Sequence, residues 1–198
     1  MDYIIEPERK IPVKAEYDTV VAGGGIAGIA AAAAAARGGA RVLLIEKQYM
    51  PGGLATAGLV TIFLPLCDGM GRQVTFGIAE ELLRLSVRHG YEGKYPSAWL
   101  ENGSYAEKAK QRFEVQYNPY IFAIETEKLL KAAGVEILFG TSVCEACISG
   151  GKIRHIITEN KSGRTAVALK NIIDCSGDAD ICRLAGENTV VFSQGNVP

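Results

Sequence analysis

The sequence predicts an α/β domain built on a parallel sheet, and two observations predict it. Residues 17–46 read as strand, glycine turn, alanine-rich helix, glycine stop and strand, the span that a parallel βαβ unit needs. Residues 135–174 read as strand throughout, broken by Gly150-Gly151 and by Lys161-Ser162-Gly163, both of which are hairpin signals.

The elements follow in order. Residues 1–16 form an exposed lead-in with Pro7, Pro12 and several charges. Tyr17 to Ala22 is short, apolar and β-branched, as a buried strand is. Gly23 to Gly28 is a turn. Ile26 to Arg37 is helical by propensity, since alanine is the best helix former, and Gly38-Gly39 ends it. Arg41 to Glu46 is a second buried strand. A glycine-rich loop, MPGGLATAGLV, comes next. Ile78, Leu82 and Leu85 have the spacing of an amphipathic helix over Gln73 to His89, stopped by Gly90. Residues 91–118 form an excursion with little periodicity, ending in a possible strand over Gln111 to Tyr117. Pro119 opens a helix to about Ala133. VEILFG is read as a short buried strand. TSVCEACISG, KIRHIITEN and RTAVALK make three antiparallel strands, and Asn171 to Asp174 a separate buried one. Asp180 is placed to cap a last helix. Residues 17–186 then make one domain, and 187–198 start a following section.

The bulk composition excludes several classes. Apolar residues make up 48% of 198 residues and the net charge is −1. A sizeable core can form. No basic stripe points to nucleic acid. No apolar run is long enough to span a bilayer. The charged N-terminus lacks the apolar region of a secretory signal. These features place the chain in the cytoplasm. Five cysteines, an odd number, are read as free thiols. Cys144 and Cys147 form a lone CxxC on a strand, with sulfurs on opposite faces. No second pair completes a zinc site, so no metal is expected.

Gly23, Gly25 and Gly28 spell G-x-G-x-x-G between a strand and a helix. In this pattern Gly23 allows the tight turn, Gly25 lets a pyrophosphate approach the backbone, and Gly28 allows close helix–strand packing. The N–H groups of Ile26, Ala27 and Gly28 and the positive end of the helix dipole face the phosphates. Glu46 ends the next strand, eighteen residues after Gly28. Its carboxylate can accept both hydroxyls of an adenosine ribose, and it disfavours a ribose phosphate. The motif alone leaves NAD and FAD both open.

Beyond that motif the chain resembles the FAD-dependent oxidoreductases of the glutathione-reductase-like superfamily, from Tyr17 to Gly186. PGGLATAGLV is similar to the second glycine pair of that family, where backbone N–H groups of Gly52 and Gly53 meet phosphate oxygens. GVEILFGTSVCEACISGGKIRHIIT resembles its strand and three-stranded crossover sheet. NIIDCSGDAD resembles the strand end that passes the cofactor. The resemblance implies a three-layer FAD/NAD(P)-binding domain: a parallel sheet with an N-terminal Rossmann βαβ, helices on one face and the crossover sheet on the other. It implies FAD as cofactor, a small organic substrate, and hydride or electron transfer to or from flavin. The implied cofactor contacts are Gly23, Gly25, Ile26, Ala27, Gly28, Glu46, Lys47, Gly52, Gly53, Leu54, Ala55, Thr56, Val143, Ser176, Gly177 and Asp178. Members of the family usually continue with a substrate domain and a last cofactor-binding segment. The remaining portion of the same or a split protein is therefore the expected partner. The alternatives are a nicotinamide-binding dehydrogenase domain and a non-catalytic nucleotide-binding fragment.

No catalytic residue follows from the sequence. His89 and His155 read as solvent-facing. Cys67 is placed either at the active site or packed under a loop, and no group that would lower its pKa is visible. Asp68 and Arg72 share that ambiguity. Tyr95, Trp99 and Tyr105 either line a substrate cavity or cover a core edge.

Overall fold

Strand β1 (Val13–Ala22) is the centre of the architecture. It pairs in parallel with β2 (Val42–Ile45), from Thr19 against Val42 to Ala22 against Ile45. On its other side it pairs in parallel with β8 (Gly163–Asp174). The six-stranded sheet has the order β5-β2-β1-β8-β7-β6, where β5 is Glu136–Leu138, β6 Ser142–Ser149 and β7 Lys152–Asn160. The computed structural model describes residues 2–190. The expected following section over 187–198 lies mostly outside the described residues.

Alternation along the strands builds two cores. Val21, Val42 and Leu44 face the helices and pack with Ile29, Ala32 and Ala33 of α1 (Ile26–Arg37) and with Phe122 and Leu130 of α5 (Pro119–Ala132). Val20, Leu43 and Ile45 face the other way and pack with Ile156, Val167 and Leu169. A parallel sheet covered on both faces requires such continuous apolar strands. Each fully buried Leu or Ile contributes about 1.5–3 kcal/mol. The result is the expected three-layer α/β fold, with helices on one face and the antiparallel hairpins on the other.

Two differences concern that third layer. The antiparallel strands are continuous with the main sheet. RTAVALK and NIID, expected as separate strands, form the single strand β8, which pairs antiparallel with β7 over Gly163–Ala168 and parallel with β1 over Ala166–Asp174. The polar pair between them does not break it: Lys170 Nζ lies 2.7 Å from Asp18 Oδ1, and Asn171 Nδ2 donates to the Asp18 carbonyl at 3.1 Å. Likewise β1 starts at Val13, because Val13 to Tyr17 pair with Ala166 to Leu169. β5 is a half-exposed edge strand rather than a buried one.

On the helical side, α2 (Ile78–Ser86) is shorter than its amphipathic pattern. Gly77, at φ +68°, precedes it, and Gln73 is engaged in a side-chain bond to the Thr75 carbonyl. α5 begins as its sequence indicates: the Asn118 side chain accepts from Tyr120 and Ile121, with Pro119 in the first turn. The excursion holds two short helices, α3 (Ser97–Leu100) and α4 (Tyr105–Lys108). The strand expected over 111–117 shrinks to β4 (Val115–Gln116), paired with β3 (Ile62–Phe63). Among the described residues no helix is long and apolar enough to cross a membrane.

Candidate functional site

A cleft of about 800 Å³ opens at the carboxyl ends of β2, β1 and β8. β1 carries β2 on one side and β8 on the other, so the chain crosses over at this edge, which is where open α/β sheets bind ligands.

The glycine turn forms its floor. Gly23 has φ +104°, and a Cβ placed on it would lie 2.2 Å from the Cys175 carbonyl oxygen. A Cβ on Gly28 would lie 1.8 Å from the Gly23 carbonyl oxygen. Both positions are closed by backbone. Gly25 is different: a Cβ there meets nothing within 4 Å, and the residue lines the cleft. The space in front of Gly25 is therefore open to a ligand while its neighbours are packed. Helix α1 starts there with no side-chain cap and no acidic residue in its first turn, which leaves its positive end available to an anion.

Glu46 follows β2 and is 5% exposed. Its Oε2 accepts the Gly24 N–H at 2.6 Å and its Oε1 accepts the Gln48 N–H at 2.7 Å. A carboxylate has about four lone-pair sites, so acceptor capacity remains beyond these two N–H groups. Gly24, in the middle of the motif, has a reason of its own: a Cβ there would sit 3.0 Å from Glu46 Cβ and Oε2.

The second glycine loop docks onto the first. Gly52 N–H donates to the Gly24 carbonyl at 2.7 Å, and a Cβ on Gly53 would lie 3.1 Å from Gly25 Cα. The third wall comes from β8. Asp174 accepts from Ser176 N–H (3.0 Å) and Ser176 Oγ (2.7 Å), and from the N–H groups of Ile181 (2.9 Å) and Cys182 (3.1 Å). Burial acts to raise the Asp174 carboxyl, but these hydrogen bonds outweigh it and hold the pKa below its ordinary value. Asp174 thus supports α6 (Asp180–Leu184), the role expected of Asp180; Ala179, with φ +54°, takes the N-cap position.

The cleft brings together Gly23, Gly25, Ile26, Ala27, Glu46, Lys47, Gly52, Gly53, Leu54, Val143, Ser176, Gly177 and Asp178. Gly28, Ala55 and Thr56 do not line it. Gly28 packs on Gly23, Ala55 is buried in the core, and the buried Thr56 hydroxyl donates to the Pro51 carbonyl at 2.8 Å. Sequence reasoning missed Ala22, Ile45, Gln48, Ala57, Gly58, Thr141, Ser142, Asp180 and Ile181, while Cys175 lies at the strand end expected to pass the cofactor. Thr141 N–H donates to the Glu46 carbonyl at 3.1 Å, a contact between distant segments that carries no local signal.

Among the described residues, none of the side chains considered for acid–base or nucleophilic roles lines the cleft. His89 and His155 lie outside the cleft lining, as do Cys67, Asp68, Arg72, Tyr95, Trp99 and Tyr105. Cys67 is buried in the core and its sulfur accepts the Phe113 N–H at 3.2 Å. Asp68 binds the N–H groups of Met70 and Arg72 and closes its own loop. Trp99 is buried and stacks on Phe113 at 5.1 Å, covering a core edge. Burial, with the neighbouring Asp174 charge, pushes the Cys175 thiol up, so it stays protonated near neutral pH. All five cysteines are free. Among the described residues no group of three or more His, Cys, Asp or Glu is gathered to hold a metal ion.

Solved structures that match include a geranylgeranyl bacteriochlorophyll reductase-like protein from Thermoplasma acidophilum (18% identity, 90% of this chain and 44% of that one, TM-score 0.59). A 3-ketosteroid-delta4-(5alpha)-dehydrogenase from Rhodococcus jostii RHA1 matches at 19% identity over 82% of this chain and 46% of that one, TM-score 0.56. The L-proline dehydrogenase from P. horikoshii matches at 15% identity over 91% of this chain and 58% of that one, TM-score 0.58. At these identities the likeness is one of fold, and the chain spans less than two thirds of each of these structures. The comparison with curated proteins finds no match. A family model described as FAD dependent oxidoreductase matches residues 18–196. The strand–turn–helix floor, the buried acid and the second glycine loop lie within that span, and the chain belongs to the FAD-dependent oxidoreductase family, whose cofactor is FAD.

Proposed function

We propose that the cleft holds FAD with its diphosphate against Gly25 and the start of α1 and its adenosine ribose on Glu46. The observation that carries this reading is the contrast within the motif. Gly23 and Gly28 are closed by backbone at 2.2 and 1.8 Å, whereas Gly25 faces open space. That is a cradle a Cβ would partly fill. The flavin supplies the redox chemistry when bound. The protein's residues bind and orient: Gly52 and Gly53 narrow the cleft beside the diphosphate, Glu46 accepts hydrogen bonds, and Ser176 and Gly177 border the third wall.

On this reading the chain is the FAD-binding part of an oxidoreductase acting on a small organic substrate, with residues 17–186 as its cofactor-binding domain. The crossover hairpins and second glycine loop support its place in the glutathione-reductase-like superfamily. The free cysteines support a cytoplasmic setting. The competing nicotinamide-dehydrogenase reading has only the first motif in its favour, since the strands flanking β1 and β2 are β8 and β5 rather than a further run of βα units.

The test is a visible absorbance spectrum of the purified chain after incubation with FAD and gel filtration. A retained two-banded flavin spectrum, reducible by dithionite, is the expected result. A colourless protein that is thermally stabilised by NAD but not by FAD would overturn it.

A further inference from the structure

The wall formed by Leu54, Ala57 and Gly58 has no regular secondary structure beyond the single 3-10 turn Gly53–Ala55. Its backbone is unusual: Leu59 has φ +58°, the left-handed region, in a residue with a branched side chain. Something must hold this loop in place, and one buried side chain reaches both of its ends. The hydroxyl of Tyr117 lies 3.1 Å from the Ala55 carbonyl oxygen and 3.2 Å from the Val60 carbonyl oxygen. Tyr117 is itself 1% exposed, and its ring packs against Phe63 and Phe122 at 5.4 and 5.1 Å. Its backbone N–H also donates to the Thr61 carbonyl at 3.2 Å. The anchor comes from a segment more than fifty residues away in sequence, and that segment leads directly into α5.

We propose that Tyr117 is a positioning residue for the cofactor. Its single hydroxyl proton is shared between two carbonyls that bracket Thr56 to Leu59, so it fixes how far Ala57 and Gly58 project into the cleft. The proposal rests on the FAD reading above and adds to it a division of labour. The glycine turn and Glu46 serve the ADP moiety. The Tyr117-held loop serves the part of the ligand beyond the diphosphate. Tyr117 touches neither part, because it lies behind the loop.

The experiment compares FAD and ADP binding by isothermal titration for the wild-type chain, Y117F and Y17F. Y117F keeps the ring and its packing and removes only the hydroxyl. Y17F is the control, since Tyr17 also donates a hydroxyl hydrogen bond, to Glu136 at 2.7 Å, and neither residue lines the cleft. The expected result is an FAD affinity weakened about five- to tenfold in Y117F, the effect of one buried hydrogen bond. ADP affinity should stay within about twofold, and Y17F should leave both ligands unchanged. The absorbance bands of bound flavin should also shift in Y117F alone. Equal loss for FAD and ADP, or no loss for either, overturns the role of Tyr117 while leaving the cofactor reading intact. A wild-type chain that binds ADP but not FAD overturns both.

Discussion

The N–H of Gly24 donates to Glu46 Oε2 at 2.6 Å, across the parallel strand pair that carries them. Gly24, the variable position between Gly23 and Gly25, and the acid at the next strand's end are thus one unit before any ligand arrives. The turn is preorganised by a carboxylate that also lines the cleft. E46A should therefore fail twice. It should lose about 2–3 kcal/mol of stability without ligand, from two charge-assisted hydrogen bonds, and it should lose FAD binding. Urea unfolding with and without FAD checks both. An apo stability equal to wild type would contradict the preorganised turn.

The glycine turn separates packing from binding. G28A should destabilise the ligand-free chain by about 1–3 kcal/mol, because its Cβ meets backbone that cannot yield. G25A should change ligand-free stability by less than about 0.5 kcal/mol, since φ at Gly25 is −68° and the space is empty. Its methyl group would occupy the ligand's place. FAD at a hundredfold excess over the dissociation constant should stabilise wild type by about 2.7 kcal/mol and G25A far less. Thermal melts of the two variants, with and without FAD, distinguish these outcomes. A G25A chain as well stabilised by FAD as wild type would move the diphosphate elsewhere.

Asp174 predicts a particular acid limb. Its folded pKa is depressed, so its contribution is complete above the unfolded value of about 3.9 and is lost as pH falls through the folded one. D174N should be less stable than wild type by a constant amount above about pH 5, and the gap should narrow below about pH 4. Chemical denaturation at several pH values measures the gap. A gap independent of pH down to acid unfolding would assign the effect to shape rather than charge.

Cys67 should be chemically silent in the native state. It is buried and its sulfur accepts a backbone N–H. Iodoacetamide labelling followed by mass spectrometry should modify Cys144 well before Cys67, with Cys67 reacting only when urea is added. Equal native rates would place the thiol at an open surface.

The parts legible in the sequence are those where local pattern and tertiary role coincide. The βαβ unit from Tyr17 to Glu46 combines strong propensities with a turn that only glycine permits, and the structure repeats it nearly residue for residue. Pro119 marks the start of α5 for the same reason, while the Asn118 cap before it was not read. The rest depended on distance. Nothing near Lys170 says that β8 runs on through it, because the residue that holds it there is Asp18. Asp180 has a capping residue's identity, yet Asp174 does that work from across the loop. Thr141 and Tyr117 shape the cleft through carbonyl groups of remote segments, and carbonyls leave no mark in a sequence. Ala55 and Thr56 share a motif with Gly53, but the 3-10 turn points them inward.

The pairing of β1 with β8 has a consequence for biosynthesis. Asn171 and Asp18 are bonded across 153 residues of chain, and the carbonyl that seals Gly23 belongs to Cys175. While the polypeptide emerges from the ribosome, β1 and β2 can pair early, but β1 keeps one naked edge until nearly the whole domain has been translated. Contacts of such separation are slow to form, and unpaired edges invite association between chains. The cleft therefore cannot be completed before β8 and Cys175 have been made. A nascent chain arrested before Asp174 has the glycine fingerprint in full and no working site.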